Sequence, residues 1–366
     1  MGAEHKYRSC IEALVKSYKN KTPNNTHMTQ CPKCRAHTID TDPLHGRTLD
    51  HLNAPQLEYK RTQSTARHAG QLKLLLSEIE FLTPYRDAEH TVIYAGAAPG
   101  THIPRLARMF PLMRFVLVDP QPSAVHPDRT TEVIKECMTN KLAAELRARN
   151  PNAQTLLISD VRIGADTSNE SDRDQQLRIQ RDMQAQMEWH AILNPVASMF
   201  KFRLPWDLST HTEYLEGEIR LPVFGKRLTH ESRLVVAREA KVIPYDNRRY
   251  ERQMACFNRV TRPAMHTGGR CYDCEAFRRI IADYLKNDAE VEHTCAEIED
   301  ELEARARQWV QFRKKKNRTI VWSVGANDAS SQLPNMSGRT GAIAQRFRPI
   351  HSMVYWRKRS FPSASF

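Results

Sequence analysis

The sequence predicts an α/β protein with a largely parallel central sheet. Three observations predict it. Short β-branched apolar runs alternate with helical stretches. Several of those runs end on Gly or Asp. The 366 residues are 40% hydrophobic and 27% charged, ordinary values for a folded chain. Buried strands separated by helices are the pattern of a parallel sheet covered on both faces.

The elements follow in order. Residues 1–55 are polar and irregular, with Pro23, Pro32 and Pro43 and a Cys-x-x-Cys pair, and read as an N-terminal extension. GQLKLLLSEIEFL, Gly70 to Leu82, is helical, because Leu72, Leu75, Leu76, Ile79 and Leu82 recur at three- and four-residue spacing. TVIYAGAAPG, Thr91 to Gly100, is a strand meeting a glycine turn, and THIPRLARMF continues it as a short helix with Pro104 near its start. RFVLVDP and TLLISDVR are two more strands, each ending in an acid. Asp172 to Leu193 is a charged helix. VASMFKFRLPW, EYLEGEIRL and ESRLVVA are strand-like and close a core over 56–262.

A helical region over 263–322 comes next. Phe277, Ile280, Ile281, Tyr284 and Leu285 form one helical face beginning near Cys274. AEIEDELEARARQWVQFRKKKNR is acidic at its start and basic at its end, the order that suits a helix dipole. Residues 323–366 read as a linker and a basic aromatic tail.

Lys plus Arg is 55 and Asp plus Glu is 42, a net charge of +13. Such an excess points to a polyanionic partner, nucleic acid ahead of membrane. No apolar run reaches the roughly 18 residues of a membrane span, so no membrane partner is expected. MGAEHKYRSC has no apolar export segment, and Lys6 stands where a myristoylation signal wants Ser or Thr. Eight cysteines without an export signal imply a reducing compartment: cytosol, nucleus or a cytoplasmic virus factory.

Ligands of parallel sheets sit at the carboxyl ends of strands. The first strand ends in Gly96-Ala97-Ala98-Pro99-Gly100, and glycines permit positive φ and close backbone approach. Asp119 lies 119 − 96 = 23 residues beyond Gly96, placed to accept hydrogen bonds from ribose hydroxyls. Asp160 ends the third strand. The spacing indicates a nucleoside-type ligand without choosing one. There is no Gly-x-Gly-x-x-Gly and no Gly-Lys-Ser/Thr, which removes dinucleotide and P-loop readings.

GQLKLLLSEIEFL, TVIYAGAAPGTHI, LLISDVR, ILNPVASMFKFRLPW, ESRL and RYERQMACFNRVTR together resemble the poxvirus cap-specific mRNA 2′-O-methyltransferases, which double as poly(A) polymerase small subunits. The resemblance runs from about Gln56 to Arg262. It implies a Rossmann-like S-adenosylmethionine-dependent methyltransferase from another large DNA virus, working in the host cytoplasm and carried in the virion. It implies a catalytic tetrad of Lys73, Asp160, Lys201 and Glu231. Donor binding carries over to Gln71, Gly96, Ala98, Pro99, Gly100, His102, Asp119, Asp160 and Val161.

The residue chemistry agrees. A ribose hydroxyl is a poor nucleophile at neutral pH and needs a base and alignment with the methyl. A lysine serves if a neighbouring cation and partial burial lower its pKa; Lys73 and the donor's sulfonium are the cations expected to act on Lys201. A 7-methylguanine ring is cationic and stacks on aromatics, while carboxylates accept its N–H groups. Trp206 falls where the family stacks the cap. Asp207 and Glu251 are the accompanying acids, and Tyr59 is the opposing aromatic.

Cys31-Pro-Lys-Cys34 and Cys271-Tyr-Asp-Cys274 suggest one structural zinc held by four thiolates. Local alternatives are Cys31 and Cys34 with His37 and Cys10 or His45, or Cys271 and Cys274 with His293 and Cys295. The implied partners are m7G-capped mRNA and a viral poly(A) polymerase catalytic subunit. Two rival readings remain: a non-catalytic RNA-binding or processivity subunit, and a 2′-O-methyltransferase acting on internal RNA positions. The intact tetrad argues against the first, and Trp206 with Glu251 against the second.

Overall fold

The computed structural model describes residues 47–58, 70–149, 151, 154–162, 171–226, 229–264, 266–267 and 270–326. The helix predicted from apolar spacing is α1, Gly70–Leu82, and all five stripe residues are buried. Strand β1 is His90–Ala95, followed by α2, Ile103–Met109, with Pro104 in its first turn. The chain continues through β2, Met113–Val118, β3, Thr131–Ile134, and α3, Asn140–Arg149. Then come β4, Thr155–Ser159, α4, Asp172–Leu193, and β5, Ala197–Phe202.

Strands β6, His211–Leu215, β7, Glu218–Arg220, β8, Ser232–Ala237, and β9, Val242–Asp246, complete the β structure of the core. The seven-stranded sheet has the order β3-β2-β1-β4-β5-β8-β7. β3, β2, β1, β4 and β5 are parallel; β8 runs antiparallel to β5, and β7 to β8. From β1 the chain builds outward to β2 and β3, then returns to β4 on the other side. The switch point therefore lies between β1 and β4, where doubly wound sheets hold ligands.

EYLEGEIRL is two strands rather than one. β6 pairs with β9 in a separate ribbon, and β7 joins the main sheet. After β9, Asp246 caps α5, Asn247–Cys256, by accepting from the Arg249 N–H. A π-helical stretch, Phe257–Thr261, follows.

Part of the predicted extension belongs to the core. Leu49 is buried, and Arg47 donates to both carboxylate oxygens of Glu80 at 2.7 and 2.8 Å. The Leu49 N–H donates to Ile219 O, and the Leu221 N–H to Arg47 O. The segment satisfies the otherwise open edge beside β7, which is why it is ordered despite its polarity.

Helix α6, Tyr272–Leu285, packs against α1 and buries Tyr272, Ala276, Phe277, Ile280 and Ile281. Contacts divide the chain after Glu299. The last helix, α7, Val291–Ala326, contributes buried Val291 and Ile298 before that point. Beyond it, Arg305 pairs with Glu301 and Arg307 with Glu303, and Trp309 stacks on Phe312. The helix runs through residues 323–326, which the composition had assigned to a linker; no glycine or proline interrupts it before Gly325. Among the described residues no helix is long and apolar enough to cross a membrane.

Candidate active site

Asp160 follows β4 at the switch point. Gly96, just after β1, has φ +82°, and a Cβ there would meet the Asp160 carbonyl carbon and the Val161 nitrogen at 2.8 Å. Gly100, φ +67°, would press a Cβ to 2.7 Å from Ala97 O. These two positions require glycine, and they let the β1 turn lie against the β4 turn.

The four tetrad residues converge. Lys73 Nζ lies 2.5 Å from Glu231 Oε1. Lys201 Nζ lies 2.8 Å from Asp160 Oδ1 and donates to the Asp160 backbone carbonyl at 3.1 Å. Lys201 stands on β5 between the fully buried Phe200 and Phe202, and strand alternation turns it to the opposite face.

Two arginines join them that the sequence reading did not nominate. Arg233 is directly opposite Lys201 in the β5–β8 pairing. Like charges opposite one another destabilise a sheet. Here Asp160 Oδ1 takes both, at 2.8 Å from Arg233 Nη2 as well as from Lys201. Arg233 Nη1 also reaches Glu231 Oε1 at 3.4 Å, and Arg162 Nη2 reaches Glu231 Oε2 at 3.0 Å. A signal for Arg233 was present: it is two residues beyond Glu231, and on a strand i and i+2 share a face.

The electrostatics follow from four cations around two carboxylates. Burial alone would raise Asp160 and Glu231. Lys201 and Arg233 hold Asp160 below the ordinary carboxylate range; Lys73, Lys201 and Arg233 hold Glu231 well below it. Lys201 is pushed down, chiefly by burial. Asp160 and Glu231 oppose that change, while Arg162 and Arg233 add to it. Arg162 and Arg233 are thus the cations that join burial in lowering Lys201, while Lys73, expected in that role, is paired with Glu231.

Several of the predicted donor residues bond to one another around the β1 and β2 turns. Asp119 Oδ2 accepts from the Ala98 N–H at 3.0 Å and Oδ1 from the Gln121 N–H at 2.8 Å, tying the β1 and β2 turns together. Each oxygen keeps a second acceptor site. Pro99 O accepts from the Ala124 N–H, and Val161 is buried. Gln71 Oε1 accepts from Thr101 Oγ1 at 2.9 Å and lies 2.8 Å from His102 Nδ1. His102 corrects an expectation: it is 1% exposed, and its ring nitrogens face Gln71 and Glu78, so it does not itself reach the cleft.

Trp206 is half-buried, with the Arg203 guanidinium 4.9 Å from its ring centroid. A cation therefore already rests on this ring. The Asp207 N–H donates to Gln176 Oε1, leaving the side chain exposed. Glu251, on α5, is raised by burial and by Asp207 and Glu58, which brings three acids to one edge. Glu58 itself pairs with Arg252 at 2.6 Å. Tyr59 lies outside the described residues.

The zinc expectation gains no support. Among the described residues no group of three or more His, Cys, Asp or Glu side chains can hold a metal. Cys31 and Cys34, with Cys10, His37 and His45, lie outside the described residues. The local alternative at Cys271 and Cys274 is corrected. Cys271 stands at the N-cap position of α6 without a side-chain capping bond, Cys274 is exposed, and His293 lies 3.2 Å from Glu297. Burial, with Glu292 and Glu299, pushes the Cys295 thiol up to about 12.

Sheet order, switch-point cleft and the Lys–Asp–Lys–Glu cluster define a Rossmann-like methyltransferase fold. The family model described as poly A polymerase regulatory subunit matches residues 48–285, and the chain belongs to that family. A cap-specific mRNA (nucleoside-2′-O-)-methyltransferase of myxoma virus (strain Lausanne) is 27% identical over 231 residues, 57% of this chain and 67% of the relative. Its namesake from fowlpox virus (strain NVSL) is 27% identical over 232 residues, covering 56% and 72%. Among solved structures, bluetongue virus VP4, described as a multifunctional RNA-capping production line, matches with 12% identity and a TM-score of 0.39 over 56% of this chain and 34% of that one. A ribosomal RNA methyltransferase of Plasmodium falciparum, described as putative, matches at 14% identity and a TM-score of 0.31, covering 47% and 97%.

Proposed function

We propose that this chain methylates the ribose 2′ oxygen of the first transcribed nucleotide of m7G-capped mRNA, using S-adenosylmethionine. The observation that carries the reading is Lys201: a largely buried, pKa-lowered amine held at 2.8 Å by Asp160 beside a cleft. Lys201 Nζ, when neutral, takes the proton of the ribose hydroxyl. The Asp160 carboxylate and carbonyl accept from Nζ and aim its lone pair. Glu231 is fixed by Lys73, Arg162 and Arg233, and it holds Lys73 at the cleft in turn.

The residues at the β1, β2 and β4 turns fit a nucleoside donor. Asp119 has acceptor capacity to spare, Gln71 presents an amide, and Gly96 keeps the turns close. Gln71, Gly96, Ala98, Pro99, Gly100, Asp119, Asp160 and Val161 would hold S-adenosylmethionine. When bound, the donor supplies an electrophilic sulfonium methyl group.

Trp206, with Asp207 and Glu251, supports cap recognition: the ring already carries a guanidinium, and the acids suit the N–H groups of 7-methylguanine. The family description supports a second role as regulatory subunit of a poly(A) polymerase; a viral polymerase in the host cytoplasm is the setting this reading proposes. The test is labelled donor with RNA bearing or lacking the m7G cap. The proposal expects methyl incorporation into capped RNA only. Equal incorporation into uncapped RNA would overturn cap specificity, and none into either would overturn the activity.

A further inference from the structure

Behind the donor cleft lies a buried polar chain that the proposed reaction does not use. Tyr94 OH donates to Glu78 Oε1 at 2.7 Å, and Glu78 Oε1 lies 3.0 Å from His102 Nε2. Glu78 Oε2 lies 2.9 Å from the same nitrogen. His102 Nδ1 in turn lies 2.8 Å from Gln71 Oε1. Glu78 is 0% exposed, and His102 and Tyr94 are each 1% exposed. A carboxyl placed this deep serves a purpose that packing alone does not require, because burying it costs free energy unless it is satisfied.

We infer that His102, held by Glu78, is a positioning residue that fixes which way the Gln71 side-chain amide faces. The inference rests on the assignment of Gln71 to the donor site.

A glutamine amide can flip, exchanging its carbonyl for its NH2 group. Here Oε1 meets two groups, the Thr101 hydroxyl at 2.9 Å and the His102 Nδ1 at 2.8 Å. If both donate, the carbonyl is pinned inward and the NH2 group is turned to the cleft, able to donate to an acceptor oxygen of the donor.

Thr101 donates by rotating its hydroxyl, so the outcome depends on the proton at His102 Nδ1. Glu78 decides that. If the Glu78 carboxyl carries a proton, it donates to Nε2, and the neutral ring keeps its proton on Nδ1. If Glu78 is ionised and His102 is an imidazolium, both ring nitrogens are protonated. Both arrangements leave the Glu78–His102 pair without net charge, and in both Nδ1 donates to Gln71. A neutral ring protonated on Nε2 alone would instead leave Nδ1 an acceptor facing the Gln71 Oε1 acceptor at 2.8 Å, and is disfavoured on that ground. Tyr94 adds a hydrogen bond to Glu78 and holds the carboxyl in place.

Asparagine and glutamine separate positioning from packing, because each preserves a different ring nitrogen. His102→Asn keeps an N–H at the Nδ1 position, whereas His102→Gln keeps reach toward Glu78 and loses that N–H. Donor affinity is measured by calorimetry with S-adenosylmethionine, and turnover at saturating donor. Gln71→Ala and His102→Gln are each expected to weaken donor binding about tenfold, the scale of one lost hydrogen bond. In His102→Gln, turnover at saturating donor should remain within a few-fold, and His102→Asn should restore affinity to within about threefold of the parent.

Equal losses in the two His102 variants would mean a merely structural role and would overturn the inference. If Gln71→Ala binds the donor normally, the assignment of Gln71 fails instead. Nitrogen-15 NMR of the parent protein's histidine rings gives an answer even if a variant does not fold: His102 Nδ1 should be protonated, and an unprotonated Nδ1 would overturn the inference.

Discussion

Arg233→Leu removes the guanidinium that joins the two carboxylates of the tetrad. Arg233 is 5% exposed and lies 2.8 Å from Asp160 and 3.4 Å from Glu231. Removing one partner of a buried ion pair costs about 3–5 kcal/mol. Asp160 retains Lys201 at 2.8 Å and Glu231 retains Lys73 at 2.5 Å, which places the loss at the lower end. With about 2 °C per kcal/mol for a domain of this size, Tm should fall by about 6 °C.

The second consequence is sharper. Arg233 is one of the cations lowering Lys201, and its loss frees Asp160 and Glu231 to favour protonated Lys201. The Lys201 pKa must therefore rise. The neutral amine is the working form, so activity is present above that pKa and lost as pH falls through it. The acid limb of kcat should move to higher pH, and activity at neutral pH should fall about tenfold for every pH unit the limb moves. The assay is kcat from pH 6 to 10 at saturating donor and capped RNA, alongside thermal melts. A variant that melts cooperatively with its acid limb unmoved, or moved to lower pH, would refute the electrostatic account of Lys201.

Lys201→Arg keeps the charge but cannot yield a neutral base; methyl transfer should fall at least about 100-fold, with donor and RNA binding within a few-fold of the parent. Asp119→Ala should weaken donor binding by about 1.5–3 kcal/mol by calorimetry, the range for hydrogen bonds to a charged group. Trp206→Ala should weaken binding of m7G-capped RNA and leave uncapped RNA nearly unchanged in a direct titration, because the stacking gain depends on ring charge. The folded-state pKa of Glu231 lies well below its ordinary value, so its stabilisation is present above the ordinary carboxylate range and is lost as pH falls toward the folded value. Glu231→Gln should therefore flatten the fall of stability on acidification, measured by urea unfolding at successive pH values.

The parallel core was legible because its strands are short apolar runs ending in Gly96, Asp119 and Asp160, and α1 because its leucines keep a helical period. The four residues proposed as catalytic were legible only through family resemblance; singly, a lysine on a helix or a strand carries no signal. Arg233 escaped because nothing in the residue itself says that its strand partner is Lys201, a pairing set by the antiparallel turn of β8 onto β5. β3, α3, β9 and α5 were missed as well. The polar sequence of α5, NRRYERQMAC, hides a buried face of Tyr250, Met254 and Cys256. Residues 47–55 looked like an extension because their contribution is backbone hydrogen bonding to β7, which composition does not display.

The central claim is the site of methylation, and nuclease mapping tests it most directly. Capped RNA is incubated with labelled S-adenosylmethionine, digested, and compared with the same RNA carrying a 2′-deoxy sugar at its first transcribed nucleotide. The account predicts label on the ribose of that nucleotide alone, and none in the deoxy RNA. Label on a base, on internal riboses, or undiminished in the deoxy RNA would contradict it.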